Sequence, residues 1–245
     1  MIYLNIGNSV VLNTLGVPVI NSFEHLCEQL SVTEQLLYFL TYKKKYCYFE
    51  KKIPKKDKTE RTLNVPSLSL KVVQRWILKE ILEKIYVSKQ AMAFIPHKNG
   101  LRENAERHKK NIFLLEMDIT NFFGTITEQQ VYRLFCNIGY NSKVAGILAN
   151  LCTYDGYLPQ GAVTSPYIAN LICYHMDARI NGYCSRKDIV YTRYADDLTF
   201  SSSNRTLLNK VEKFIKYIVT DEGFTINDKK TRYLSNDVKK TVTGI

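Results

Sequence analysis

Nothing in this 245-residue sequence approaches about eighteen consecutive apolar residues, so no helical span of a bilayer is available. The apolar stretch up to Ile20 is interrupted by Asn5, Asn8 and Asn13, with no basic leader ahead of it. That is not the pattern of a secretory signal. Paired cysteines are absent. Cys27, Cys47, Cys136, Cys152, Cys173 and Cys184 form no C-x-x-C, and the four histidines supply no zinc spacing. These cysteines read as small buried hydrophobes in a reducing compartment, which makes the cytoplasm the expected location. Repeats and low-complexity tracts are lacking too. Acid is scarce, with 23 Asp and Glu against 34 Lys and Arg, a formal net charge of +11. Together with 17 tyrosines, that balance suits a polyanion whose bases can stack on aromatic faces. A hydrophobic content of 45% over this length allows a sizeable core, in one large domain or two intimate subdomains.

Helical stripes are frequent. Ser31-Val32-Thr33-Glu34 and Thr127-Glu128-Gln129-Gln130 each fit a capping box, and the second opens a helix through Val131, Leu134 and Phe135 that Gly139 stops. Leu70, Val73, Ile77 and Ile81 share one helical face, as do Val144, Ile147, Leu148 and Leu151. Pro166, at a first helical position, starts a helix that turns Ile168, Leu171, Ile172 and Met176 inward. Another runs through Leu207, Val211, Phe214, Ile215 and Ile218 to Gly223. Between these lie β-prone runs. Ile112 to Ile119 ends on an acid, and Ile189 to Tyr194 and Leu198 to Ser202 flank Ala195-Asp196-Asp197, a hairpin with two acids at its tip. Tyr46 to Ile53 and Arg61 to Val65 form a second, exposed hairpin. Helices interspersed with antiparallel hairpins predict an α+β fold. Around the second hairpin, Lys43, Lys44, Lys45, Lys51, Lys52, Lys55, Lys56, Lys58 and Arg61 face only Glu50, Asp57 and Glu60, so a phosphate-facing surface is expected there.

The adjacent aspartates carry the chemistry. Two like charges side by side raise each other's pKa and cost stability unless a cation sits between them. Asp is common in turns for local reasons, so the pair alone says little. Here Tyr191, Leu198 and Phe200 on the flanking strands fix the acids in place, and Asp118 ends another apolar strand. The three can converge on one sheet edge and hold two Mg²⁺ ions about 3.5–4 Å apart, with substrate phosphates completing the shell. Such a site supports in-line attack of a primer hydroxyl on an α-phosphate, one ion acidifying the hydroxyl and the other neutralising the departing pyrophosphate. From this geometry alone a metal-dependent nuclease fits nearly as well.

Tyr194-Ala195-Asp196-Asp197 between two β runs resembles the Y-x-D-D hairpin of reverse transcriptases. Leu114 to Phe123, containing Asp118 and the Phe122-Phe123 pair, resembles the family's strand with its first catalytic Asp. Leu158-Pro159-Gln160-Gly161-Ala162-Val163-Thr164-Ser165-Pro166 resembles the L-P-Q-G-x-x-x-S-P block between them. Gly223 to Asn227 with Lys229-Lys230-Thr231 resembles the block that follows. More narrowly, Asn104-Ala105-Glu106-Arg107-His108, Val242-Thr243-Gly244 and Asn13 to Pro18 are similar to elements of bacterial retron reverse transcriptases. Val163 stands where that group usually has Pro, and Ala93 before Phe94 where it usually has Gly.

The resemblance implies the fingers–palm half of a right-hand polymerase. Residues 1–110 would supply the N-terminal helices and fingers with the basic hairpin, joined by part of 140–170. Residues 111–245 would be mainly palm, an antiparallel sheet flanked by helices. Family members continue into a helical thumb, and with the chain stopping at Ile245 the thumb is expected to be missing from it. By the same resemblance Asp118 and Asp196 bridge the two Mg²⁺ ions, with Asp197 in support and the Ile119 carbonyl beside them. Phe123 underlies the sugar and excludes a 2′-hydroxyl. Gln160 and Gly161 cradle the incoming nucleotide, Arg61 and Lys58 clamp its triphosphate, and Lys230 donates a proton to pyrophosphate. Asn104 and His108 are structural or touch the template, and Tyr194 lies along the nucleic acid. The implied partners are deoxynucleotides, a structured non-coding RNA template, its DNA product and a separate effector protein, with no membrane. The implied reaction starts at a 2′-hydroxyl of that RNA, gives branched RNA–DNA, and serves antiphage defence. Two other readings remain at this point, an untemplated or abortive-infection-type reverse transcriptase and a non-catalytic RNA-binding scaffold.

Overall fold

Capped amphipathic segments and alternating strands succeed one another in the computed structural model, which describes residues 8–54, 60–96 and 99–235. In chain order the elements are α1 (Ser9–Thr14), α2 (Phe23–Leu30), α3 (Glu34–Tyr42), β1 (Tyr48–Pro54), β2 (Glu60–Pro66), α4 (Leu68–Trp76), α5 (Gly100–His108) and β3 (Phe113–Asp118). There follow the single turn α6 (Phe122–Thr125), α7 (Glu128–Ile138), α8 (Ser142–Cys152), α9 (Ser165–Ile172), α10 (Tyr174–Ser185), β4 (Val190–Tyr194), β5 (Asp197–Ser202), α11 (Arg205–Asp221) and β6 (Arg232–Leu234). They fall into two compact units, one from Met1–Tyr86 and Phe123–Ile172, the other from Val87–Phe122 and Cys173–Ile245.

In the first unit, helices pack around a core that includes Leu12, Leu37, Leu40, Leu70, Val73, Phe135 and Leu148. Thr127 and Gln130 form the expected capping box, and Gly139, at φ 122°, ends α7. The other proposed box is absent. Ser31 instead closes α2 in the left-handed conformation (φ 54°), and Thr33 caps α3 by accepting from the Leu36 N–H. Two helices so close in sequence each need their own end, and that requirement takes Ser31 for the first. The Leu70, Val73, Ile77, Ile81 stripe is buried as expected, but its second half is a π turn (Ile77–Ile81). Strands β1 and β2 pair antiparallel from Tyr48 opposite Pro66 to Pro54 opposite Glu60, and most of the hairpin faces solvent.

The second unit is a four-stranded antiparallel sheet in the order β4-β5-β3-β6, with α5, α10 and α11 against it. The expected helix through Met176 is interrupted. Cys173, with ψ near 0°, turns the chain, and α10 restarts with Met176, Asp177, Ile180 and Cys184 inward. In α11 the buried residue of the first turn is Leu208 rather than Leu207. Register assigns each strand residue a face. Met117 lies opposite Leu198, Leu115 opposite Phe200, and Phe200 and Leu198 opposite Tyr191 and Arg193. That face is covered and, apart from Arg193 and Ser202 at the end of β5, apolar. The guanidinium is completely buried. It donates through Nε and Nη2 to the two Asp177 oxygens (2.9 and 2.7 Å) and through Nη1 to the Ala195 carbonyl (3.2 Å). The Tyr191 hydroxyl donates to the same Asp177 carboxylate (2.8 Å). Burial alone would discourage the charge on Arg193, and Asp177 more than reverses this.

Breaking a buried, bidentate pair strands the remaining charge, at a cost of roughly 3–5 kcal/mol. Asp177→Asn is accordingly expected to lower the free energy of urea unfolding by about 3 kcal/mol or more. An unchanged unfolding midpoint would show the pair to be dispensable.

Candidate active site

Strands β4 and β5 are joined by the two residues Ala195 and Asp196, since Tyr194 and Asp197 are directly paired. Ala195 sits at φ 57°, a left-handed conformation that costs a non-glycine residue about 1 kcal/mol or more. Two bonds hold it. Arg193 grips the Ala195 carbonyl from the covered face, and the Ile119 N–H donates to the Asp196 carbonyl (2.9 Å). The second bond ties the turn to the end of β3, where Asp118 pairs directly with Asp197. Direct cross-strand neighbours share a face with Cβ atoms about 5 Å apart, so register alone brings these two carboxylates together.

The segment after α11 folds onto the same place. The Thr120 N–H donates to the Thr225 carbonyl (2.8 Å) and the Asn227 N–H to the Asp118 carbonyl (2.8 Å), while Phe122 and Phe224 pack ring against ring. A short 3-10 turn (Asp228–Lys230) then places the Lys230 ammonium 2.7 Å from Asp118 Oδ2. Lys230 is held more firmly protonated by that bond. Asp197 is pushed up to about 6, by burial first and then by the charges of Asp196 and Asp118, with Lys230 opposing and Glu116 adding. Glu116 lies on the same strand face, opposite Thr199, and pairs with Arg232 (3.0 Å). Burial raises its pKa and Arg232 opposes the rise. The described residues contain no ready-made cluster of three His, Cys, Asp or Glu ligands. Asp118 is turned onto Lys230, the arrangement that repelling carboxylates adopt around the nearest cation. An all-oxygen set that is mutually repulsive and faced by one exchangeable ammonium fits hard divalent cations.

The first unit assembles a second group. The Asn64 N–H in β2, three residues past Arg61, donates to the Gln160 carbonyl (2.8 Å). Gly161 is at φ 120°, and a Cβ there would lie 2.9 Å from the Asn64 carbonyl oxygen, so both conformation and space demand glycine. The loop is anchored by Gln74, an amide the sequence reading did not single out. Completely buried on α4, it donates to the Tyr48 hydroxyl and the Leu151 carbonyl (both 2.9 Å) and accepts from the Val163 N–H (3.3 Å). A proline at 163 could not make that last bond. A Gln within the apolar stripe of α4 was the available clue. Arg61 is exposed on β2, and Phe123 is half-buried in α6. Lys58, like Val242-Thr243-Gly244, lies outside the described residues.

Tyr194 is half-exposed beside the turn. Asn104 and His108 are buried. Both His108 ring nitrogens are bonded, to the Ser201 and Thr192 hydroxyls (2.7 Å each), and Thr192 also donates to Asn104. Of the two roles left open for them, this geometry suits the structural one. They fasten α5 to the polar face of β4 and β5, and neither presents an atom for a template. Arg193 and Asp177 were missed as the support of the turn. Their trace in the sequence is an ionisable residue at an inward position on a strand and another on a helix.

A family profile described as reverse transcriptase (RNA-dependent DNA polymerase) matches residues 53–244. The chain is 37% identical over 242 residues to the retron Ec86 reverse transcriptase of Escherichia coli, covering 97% of this chain and 75% of that protein. It is 34% identical over 211 residues to the retron Mx65 reverse transcriptase of Myxococcus xanthus, covering 79% of this chain and 49% of that one. Among solved structures, telomerase from Candida albicans, in complex with the TWJ fragment of telomeric RNA, superposes with a TM-score of 0.58 at 12% identity. The match covers 79% of this chain and 43% of that one, a likeness of fold.

Two pH effects follow. His108 is lowered from 6.5 to about 4, by burial and then by Arg107. Its contribution to stability is therefore complete above about pH 6.5 and is lost as pH falls toward 4. Denaturant unfolding should weaken over that window in the wild type, and this component should vanish in His108→Gln. Asp197 is raised from 3.8 to about 6, so the fold favours its protonated form and stability declines as pH rises through 6. Without divalent ions, Asp197→Asn should melt above the wild type at pH 7.5, with the gap closing near pH 4. A gap independent of pH would show that the carboxylates do not repel.

Proposed function

The chain belongs to the retron-type reverse transcriptases and has their α+β fingers–palm fold, and from that membership we propose that it is an RNA-directed DNA polymerase working by two-metal catalysis. The observation that carries the site is the register that sets Asp118 opposite Asp197, with Asp196 in the turn bonded to Ile119. Asp118 and Asp196 would hold the metals, with Asp197 and the Ile119 carbonyl in support. When bound, two Mg²⁺ ions supply Lewis-acid activation of a hydroxyl and charge neutralisation at a leaving phosphate.

The remaining roles belong to the chain's own groups. Lys230, whose ammonium lies against Asp118, would supply the proton taken by departing pyrophosphate. On the first unit Arg61 clamps the triphosphate with its planar fork, assisted by Lys58, while Gln160 and Gly161 form a close backbone surface for the nucleotide. Phe123 selects deoxynucleotides by clash with a 2′-hydroxyl. The fingers are read as residues 1–110, with the N-terminal helices and basic hairpin, joined by part of 140–170, and the palm as mainly residues 111–245, the stretch that carries the four-stranded sheet. The chain spans three quarters of the Ec86 relative's length and about half of the Mx65 relative's. The finer activities of the whole protein are proposed with the group. These are a structured non-coding RNA template, priming from its 2′-hydroxyl, a branched RNA–DNA product, and antiphage defence in the cytoplasm beside an effector protein.

Mg²⁺-dependent incorporation of labelled deoxynucleotides on a primed RNA template tests the reading. Asp196→Asn with Asp197→Asn should reduce it by about 10²-fold or more. If the wild type is silent too, the chain extended with the C-terminal segment of its retron relative is assayed. Silence from both versions sinks the enzyme reading.

A further inference from the structure

The outer face of α3 is not accounted for by catalysis. A solvated helix face carries charge, yet α3 has one acid, Glu34, and no base. Leu37, Leu40 and Thr41 are buried, while Tyr38, Phe39 and Tyr42 lie 42–54% exposed, and Tyr46 and Phe49 follow at 61% each. Of the five exposed aromatic rings within residues 38–49, four form two ordered pairs. Tyr38 and Tyr42 have centroids 4.9 Å apart, and Phe39 and Tyr46 stack at 6.4 Å and 23°. The Lys45 ammonium lies 5.1 Å from the Tyr46 ring centre. Beside them is a cleft of about 550 Å³ whose lining includes Tyr42, Lys43, Lys44, Lys45, Tyr154 and the single acid Asp155. Lys44 is turned to the Thr153 carbonyl (3.1 Å) and Glu128 (3.5 Å), so Lys43 and Lys45 are the ammoniums presented outward.

We propose that this surface binds a single-stranded nucleic-acid segment, with bases stacked on the Tyr38, Tyr42, Phe39 and Tyr46 rings and phosphates on Lys43 and Lys45. Aromatic faces open to solvent and interleaved with lysine are the elements of a sequence-tolerant stacking platform. A duplex hides its base faces and gains only the lysines. The cores of protein–protein interfaces are depleted in lysine, and here lysine adjoins the rings themselves. None of the five rings has a part in the catalytic reading, so the two stand or fall separately.

The test is fluorescence anisotropy of the full chain with a labelled single-stranded oligouridylate, its deoxy counterpart, and a duplex of matched length. Single strands of either sugar should bind more tightly than the duplex. Tyr42→Ala and Tyr46→Ala should each weaken single-strand binding about 5- to 100-fold. Lys43→Gln and Lys45→Gln should each flatten the slope of log K on log salt by about 0.7. Deoxynucleotide incorporation on a short primed template should be unchanged by the tyrosine substitutions. Oligonucleotide binding by a chain that does not polymerise would retain the platform while removing the catalytic reading. Affinity unmoved by the tyrosine substitutions, tighter binding of the duplex, or capture of a protein by this face with no affinity for oligonucleotide would overturn the proposal.

Discussion

A guanidinium with no access to water must be satisfied entirely by the protein, and Arg193, on the outer strand β4, is such a group. Its partner Asp177 comes from α10, so satisfying the charge fixes that helix against β4. Its third bond reaches the carbonyl of Ala195, which holds the turn of the acidic hairpin in a conformation alanine does not favour. The placement of Asp196 and Asp197 is thus set from the opposite face of the sheet. Strain at the turn is tolerated because the buried pair and the Ile119 bond together over-determine it.

The two faces of this sheet obey different rules. On the covered face the charge of Arg193 is matched and the surroundings are largely apolar, as stability requires. On the other, Asp118, Asp197, Asp196 and Glu116 are gathered with Lys230 and Arg232 as their cations, and burial, with the neighbouring acids adding to it, raises Asp197 above its ordinary range. A fold selected for stability alone would not keep that arrangement. Groups placed at a cost to the folded state mark sites that await a charge from outside. At the far end of the same face Asn104 and His108 show the alternative. There the polar atoms are closed into a neutral network with Thr192 and Ser201, and its role is to hold α5 on the strands.

In the first unit an amide does the work that the ion pair does in the second. Gln74 joins α4 to β1, α8 and the loop after Gly161, so one buried side chain sets the path of the segment that carries Gln160. Val163, a departure from the related group, acquires a reason in that network, because its N–H is used.

Much of this was legible in the sequence. Periodicity marked the stripes of α4, α7, α8, α9 and α11, alternation marked both hairpins, a glycine and a threonine placed the ends of α7, and the position of acids at the ends of β runs singled out Asp118, Asp196 and Asp197 as candidates, whereas α1, α2 and α5 carried no stripe that was read. These properties are local, encoded in residue type and in the repeat of helix or strand. Errors fell where local rules compete, as at Ser31, equally suited to opening one helix or closing another, and at Cys173, where one stripe became two helices. The register that pairs Asp118 with Asp197, the ammonium of Lys230 on Asp118, and the Arg193 to Ala195 bond were decided only by the tertiary structure. Each joins residues distant in sequence, and no pattern along a chain specifies which far-off group will satisfy a buried charge.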